Sequence, residues 1–251
     1  MVIILIQYTK NGVVLKKMSR SIIKKKTSQI LLSEYNQSFN KQNDFEKVKW
    51  SSRESMVNRY RLFFNTIKKK KFNRWLDVGS GTGSIFQYHD KLKNNNISYR
   101  LGIEINKNLY NYSKKKLYKK KVLFKNKDIY SFNPKLKFDL ISLIGVLQNC
   151  GHNPFNIIKK SFSLLSRGGF LFLTTKNLLW DKFSKNFKPC NDHSWFIPSD
   201  IESILKKLNI NIISMLGFNP KSNKVVSLKK SHTIFIFGKK KMIKNNKVYI
   251  I

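Results

Sequence analysis

Trp75-Leu76-Asp77-Val78-Gly79-Ser80-Gly81-Thr82-Gly83 is the stretch on which the reading of this chain turns. A short apolar run ends in an acid and opens into three glycines at alternate positions, and a helical pattern follows from Ser84 to Leu92. Missing side chains let backbone turn sharply and approach a ligand closely, so strand, glycine loop and helix in that order form a context for a phosphate or a nucleoside. The glycines alone leave the ligand open. A dinucleotide loop would prefer its third glycine one position later, where Ser84 stands, and would set a pyrophosphate against the helix N-terminus, where Asp77 would repel it. A ligand carrying positive charge would instead be drawn to that acid.

Outward from the loop, strands and helices alternate. Candidate strands are Arg74 to Val78, Tyr99 to Ile103, Val122 to Phe124, Phe138 to Leu143 and Gly169 to Thr174. Candidate helices lie near Ser84 to Leu92, Asn106 to Tyr118 and Phe155 to Leu165. That alternation predicts a parallel sheet with helices on both faces. The pattern then changes to a helix near Ser199 to Leu208, a strand from Ile210 to Leu216, a loop, and a strand from His232 to Phe237. With no helix between them, the last two strands are expected to pair antiparallel. The expected architecture is a Rossmann-like, doubly wound α/β sheet of seven strands, mostly parallel with an antiparallel last strand. A further helix precedes the first strand, because Met56, Tyr60, Phe63, Phe64 and Ile67 recur at helical spacing, with Ser52 and Glu54 at its start.

Acids mark the strand ends. Glu104 closes the second strand of the series, where a carboxylate can accept both hydroxyls of a ribose. Asp128 follows the third strand and Asp139 opens the fourth. The chain holds only 13 Asp and Glu in 251 residues, so this ordered placement is not what scatter would produce.

At this point Leu76 to Gly83 resembles the first signature motif of class I S-adenosylmethionine-dependent methyltransferases. The donor carries an ammonium and a sulfonium and no phosphate, which agrees with an acid at the loop. The resemblance implies that Gly79, Ser80, Gly81 and Gly83 pack against the methionine part of S-adenosyl-L-methionine while Asp77 helps orient its amino group. It implies that Glu104 meets the ribose, that Asp128 bonds the adenine amino group with Ile129 beside the ring, and that Ile105 and Leu143 also belong to the cofactor site. Phe138 to Leu143 and Leu165 to Leu171 resemble the family's fourth strand and the turn into its fifth. Lys49 to Ser55 with Arg59-Tyr60 resembles the lid helix of the ubiquinone-biosynthesis type and related small-molecule enzymes. There an arginine often reaches the cofactor carboxylate, which selects Arg59 here and Arg53 after it. His193 to Pro198 and Leu216 to Phe218 resemble the substrate-side segment, so the likeness runs from about Trp50 to Gly238.

Methyl transfer from a sulfonium is an in-line displacement that needs alignment and desolvation more than a base. His193 and His152 are the candidate proton acceptors. Asn149 stands where relatives frequently carry a histidine. Cys150 reads as a small buried residue. Trp180, Phe183, Trp195 and Phe196 are candidates to line an acceptor pocket. The expected function is methyl transfer to a small-molecule acceptor, at oxygen. The alternatives are an RNA or protein methyltransferase that uses a basic surface, and a non-catalytic nucleoside-binding protein. No Asn-Pro-Pro-Tyr type of base-methylating motif follows the fourth strand.

The formal charge is +37, from 50 Lys and Arg against 13 Asp and Glu. The excess is nearly all lysine, spread from Lys24-Lys25-Lys26 to Lys239-Lys240-Lys241. A specific nucleic-acid site concentrates arginine on one element, so this spread predicts a solvated surface with nonspecific attraction to polyanions. Hydrophobic residues at 41% suffice for a folded core. Cys150 and Cys190 are too few for a disulfide framework, and the four dispersed histidines give no metal cluster. No apolar run approaches the ~18 residues of a membrane span, and Met1 to Ile6 lacks the flanks of a secretion signal, so a reduced, cytoplasmic setting is expected. Three segments are expected. Residues 1–45 form an N-terminal extension, a hairpin about Asn11-Gly12 or a basic tail. Residues 46–238 form the methyltransferase domain, and 239–251 a basic C-terminal tail.

Overall fold

The computed structural model describes residues 3–9, 12–18, 21–23, 28–92, 97–181 and 193–241. Lys24 to Lys26, Phe183, Cys190 and the tail beyond residue 241 lie outside the described residues.

The central sheet is built from β3 (Arg74–Val78), β4 (Tyr99–Glu104), β5 (Leu123–Asn126), β6 (Phe138–Ile144), β7 (Leu165–Lys176), β8 (Ile210–Asn219), β9 (Lys224–Val226) and β10 (Thr233–Lys240). Its order is β5-β4-β3-β6-β7-β10-β8-β9. The first five of that order run parallel, and β10 inserts antiparallel between β7 and β8. The expected fold class holds, with one correction: the sheet has eight strands, not seven. The addition is β9, three residues long, which pairs antiparallel with the end of β8. So short a strand carries no alternation to read in a sequence.

Each central strand is buried on both faces, and its side chains alternate between them. Leu76 and Val78 face one core with Leu101, Ile141, Leu171 and Ile201; Trp75 faces the other, a strongly aromatic core with Phe63, Phe86, Phe172 and Phe235. Against the first face pack α6 (Pro154–Leu164) and α7 (Pro198–Lys207). Against the second pack α3 (Arg53–Ile67), α4 (Ser84–Asp90) and α5 (Lys107–Lys116). Local chemistry sets the helix starts. Ser52 caps α3 by accepting the Ser55 amide at 3.0 Å, Asn106 caps α5 through Leu109 at 3.0 Å, and Asn153 precedes Pro154 of α6.

The N-terminal third of the expectation needs correcting. β1 (Ile3–Thr9) and β2 (Gly12–Met18) do pair as an antiparallel hairpin. Beyond it, α1 (Ser28–Phe39) and α2 (Asp44–Lys47) are integral to the main body, and a boundary after residue 45 would cut α2. Asn36 Oδ1 accepts from Asn106 at 2.9 Å and from Asn108 at 3.1 Å. Asp44 accepts from Ser84 Oγ at 2.7 Å and Tyr112 at 2.8 Å, and pairs with Lys116. At the other end β10 continues through Lys240, whose Nζ donates to the carbonyls of Phe162 and Leu165, so the domain extends past Gly238.

Candidate active site

The C-terminal edge of the parallel strands is where loops of an α/β sheet converge on a ligand. Here β3 runs into the glycine loop, which curls over the end of β4: the amides of Gly79 and Ser80 both donate to the Ile103 carbonyl, at 2.9 and 3.1 Å. Gly79, Gly81 and Gly83 all take positive φ. Gly81 shows why no other residue fits, since at φ +53° a Cβ would lie 2.6 Å from Val48.

A cavity opens beside this loop. Six of the expected cofactor residues line it: Gly79, Gly81, Glu104, Ile105, Asp128 and Ile129. Glu104 is buried, its Oε2 accepting the Gly81 amide at 2.8 Å and its Oε1 the Asn106 amide at 2.9 Å. Burial raises its carboxyl above the usual range, and the backbone donors of Asn106, Gly81 and Ile105 hold the rise in check. One of its lone-pair positions thus holds the glycine loop and one the start of α5, and the rest are available to a ligand.

The other five stand elsewhere. Gly83 packs into the groove between Leu117 and Phe124, which serves helix-to-sheet contact. Ser80 turns back onto Gly102 of β4, where its buried hydroxyl has no hydrogen-bond partner. Leu143 is fully buried in the core, and its neighbour Ile144 reaches the cavity instead. Arg59 is 6% exposed and lies behind Trp50, its guanidinium 4.4 Å from the indole centroid. It donates to Ser55 O at 2.8 Å and Ser55 Oγ at 2.6 Å and makes no ion pair among the described residues; burial pulls it down to about 9.

Asp77 departs furthest from its expected place. Strand alternation puts it on the Trp75 face, beneath the loop and off the cavity wall. Trp75 Nε1 donates to Ser142 Oγ at 2.8 Å and Ser142 Oγ donates to Asp77 Oδ1, a buried relay joining β3 to β6. Burial pushes the Asp77 carboxyl up to about 7, with the Ser142 hydroxyl opposing and Glu104 adding to the rise.

Of the two histidines, His152 lines the cavity and His193 does not. The His193 segment is tied to the β6–α6 loop by Ser194 N, which donates to Gln148 O at 2.8 Å. Cys150 shares the cavity, and burial drives its thiol up to about 11, so it is inert as a nucleophile. Trp195 and Phe196 are buried, Phe196 within the core.

Several wall residues escaped the sequence reading. Leu31 and Tyr35 come from α1, and Val48 and Trp50 from the turn after α2. Leu31, Tyr35 and Phe39 recur every four residues, the signal that marks α1. Trp50 packs so tightly over Gly145 that a Cβ there would sit 2.4 Å from the indole. Among the described residues no group of three His, Cys, Asp or Glu could hold a metal, and no helix is long and apolar enough to cross a membrane.

The site suits a nucleoside with a cationic tail. Glycine backbone replaces side chains on one wall, two carboxylates stand along the cavity, and Asn149 presents a buried Oδ1 that has no hydrogen-bond partner.

Comparison with solved structures agrees in fold. The N-methyltransferase NodS from Bradyrhizobium japonicum WM9, in complex with S-adenosyl-L-homocysteine, aligns over 84% of this chain and 98% of its own at 12% identity, with a TM-score of 0.61. Magnesium protoporphyrin IX methyltransferase (ChlM) from Synechocystis PCC 6803, with bound S-adenosylmethionine, aligns over 83% and 90% at 14% identity and TM-score 0.54. The [4+2]-cyclase SpnF aligns over 88% and 99% at 14% identity and TM-score 0.63. The fold therefore does not by itself fix the reaction. No curated protein matches the chain by sequence. A family model described as a methyltransferase domain matches residues 50–215, from Trp50 at the cavity mouth to β8. The chain belongs to the methyltransferase-domain family, with the class I Rossmann-like fold.

Proposed function

We propose that this enzyme transfers a methyl group from S-adenosyl-L-methionine to an oxygen atom of a small-molecule acceptor. The observation that carries the reading is one cavity wall on which the backbone of Gly79 and Gly81 meets the carboxylates of Glu104 and Asp128. When bound, the cofactor supplies a methyl group already activated on a sulfonium, which leaves alignment and exclusion of water to the protein. Glu104 accepts from the ribose hydroxyls with the lone pairs that Gly81 and Asn106 do not use. Asp128 accepts from the adenine amino group, and Ile129 packs on the ring. Asp77 acts from beneath, tying β3 to β6 through Ser142 and, when ionised, lending negative potential below the ammonium. Arg59, a buried cation with no carboxylate partner among the described residues, supplies the counter-charge for the cofactor's carboxylate at the Trp50 edge of the site.

An acceptor oxygen that is already anionic needs no general base: His193 is off the cavity wall and His152 Nε2 is taken up by Asp128. Incubation of the protein with methyl-labelled cofactor and a panel of small carboxylates, phenols and amines tests the reading. Label is expected in a methyl ester or ether. Label in RNA or protein alone, or absence of calorimetric binding of S-adenosyl-L-homocysteine, would overturn it.

A further inference from the structure

His152 has a role the sequence did not suggest. Its Nε2 lies 2.6 Å from Asp128 Oδ2, while Asp128 Oδ1 accepts the Tyr130 amide at 2.8 Å. A carboxylate only accepts, so the shared hydrogen belongs to Nε2, and the open lone pair of the imidazole is left on Nδ1.

The imidazole is held in this direction from several sides. The Tyr130 ring packs on it at 4.4 Å between centroids. Cys150 Sγ donates to the His152 carbonyl at 3.2 Å, and Asn153, the next residue, is fixed as the cap of α6 through Phe155 N at 2.9 Å. On the other flank Gly151 abuts the start of α1, where a Cβ would come within 3.0 Å of Ser28 Oγ. Both His152 and Asp128 line the cavity.

An ionised carboxylate offers about four lone-pair positions. Tyr130 and His152 take two, from fixed directions, and the remaining two are set by that choice. We propose that His152 is a positioning residue for base recognition: it locks the Asp128 carboxylate so that its open lone pairs face the cavity and select a purine bearing a 6-amino group over one bearing a 6-oxo group. This rests on the reading of the cavity as the cofactor site. A donor there satisfies the carboxylate, whereas the 6-oxo group sets acceptor against acceptor.

The test is calorimetric titration of the full chain with S-adenosyl-L-homocysteine and with S-inosyl-L-homocysteine, in which oxygen replaces the amino group. The wild type is expected to prefer the amino form by about tenfold or more, in keeping with one charge-assisted hydrogen bond. His152→Ala is expected to cut that preference by about fivefold or more through loss of the fixed donor, while His152→Gln, whose amide can still donate to Asp128, keeps it within about twofold. A merely structural role would weaken both ligands equally and leave the ratio unchanged. An unchanged ratio in His152→Ala, or a wild type that binds both ligands equally, overturns the inference. A wild type that binds neither overturns the cofactor reading itself, and the inference with it.

Discussion

Replacing Glu104 by glutamine separates the two jobs of one carboxylate. In the wild type both oxygens accept backbone amides, from Gly81 at 2.8 Å and Asn106 at 2.9 Å. A glutamine offers one oxygen and one NH2, so one of those amides meets a donor instead of an acceptor. A buried donor left unsatisfied costs about 1–3 kcal/mol. The neutral amide also removes the penalty of a charge in a buried site, the effect that raises this carboxyl, so the net loss lies toward the lower end of that range. For a domain of this size each kcal/mol moves Tm by about 2–4 °C, so a fall of a few degrees is expected. The ligand side has no such relief. Losing one charge-assisted bond to a ribose hydroxyl costs about 1.5–3 kcal/mol, or about 10- to 150-fold in Kd for S-adenosyl-L-homocysteine. Thermal melting and calorimetric titration of the purified Glu104→Gln variant read the two effects separately. A Kd within about twofold of wild type would refute the ribose assignment, since no arrangement of the substituted amide replaces an ionised acceptor at both positions.

Three other perturbations have defined outcomes. Gly81→Ala forces a β-carbon to within 2.6 Å of Val48 at a positive φ, so it should lower stability by about 1–2 kcal/mol and weaken S-adenosyl-L-homocysteine binding; adding Val48→Ala should restore part of both, and a double variant no better than the single would count against the loop contact. Asp77 has a folded carboxyl near 7 against an ordinary value near 3.8, so the folded state holds its proton more tightly and stability falls as pH rises through that window. Asp77→Asn, which cannot ionise, should therefore lose less stability than wild type between about pH 4 and 7 in urea titrations, and parallel pH profiles would contradict the burial of that charge. Tyr35→Ala, at the α1 wall of the cavity, should weaken S-adenosyl-L-homocysteine binding several-fold with Tm changed by only a few degrees; unchanged affinity would remove α1 from the site.

The glycine loop and the acids at the ends of β4 and β5 were legible because parallel strands deliver their C-terminal residues to one edge, so order along the chain becomes proximity in space. The placement of Glu104 and Asp128 at that edge followed from the rule, and the adenine role of Asp128 from the family resemblance. Asp77 was located in the sequence but not in direction. Its parity with Trp75 was countable, yet only the packing of Phe63, Phe64 and Phe86 shows that the odd-numbered face is the dry aromatic one, where an acid needs Ser142. The α1 wall was hidden for another reason. Its helix has a repeat of four but is anchored by contacts such as Asn36 with Asn106, which no local pattern announces. His152 illustrates the same limit: residue type suggested a base, and the 2.6 Å contact to Asp128, on which its proposed positioning role rests, has no local signal in the sequence.

The short segment ahead of α1 is fastened to elements far along the chain. Ser21 donates to Asp200 through both its amide and its hydroxyl, at 2.8 and 2.6 Å, across 179 positions of sequence, and Ile22 pairs with Trp195 as a bridge. During synthesis this early segment must therefore wait until α7 has left the ribosome before it can settle, with α1 and its share of the cavity wall following it in the chain. A nascent chain released before α7 would carry the glycine loop without the Ser21 and Ile22 anchorage ahead of α1.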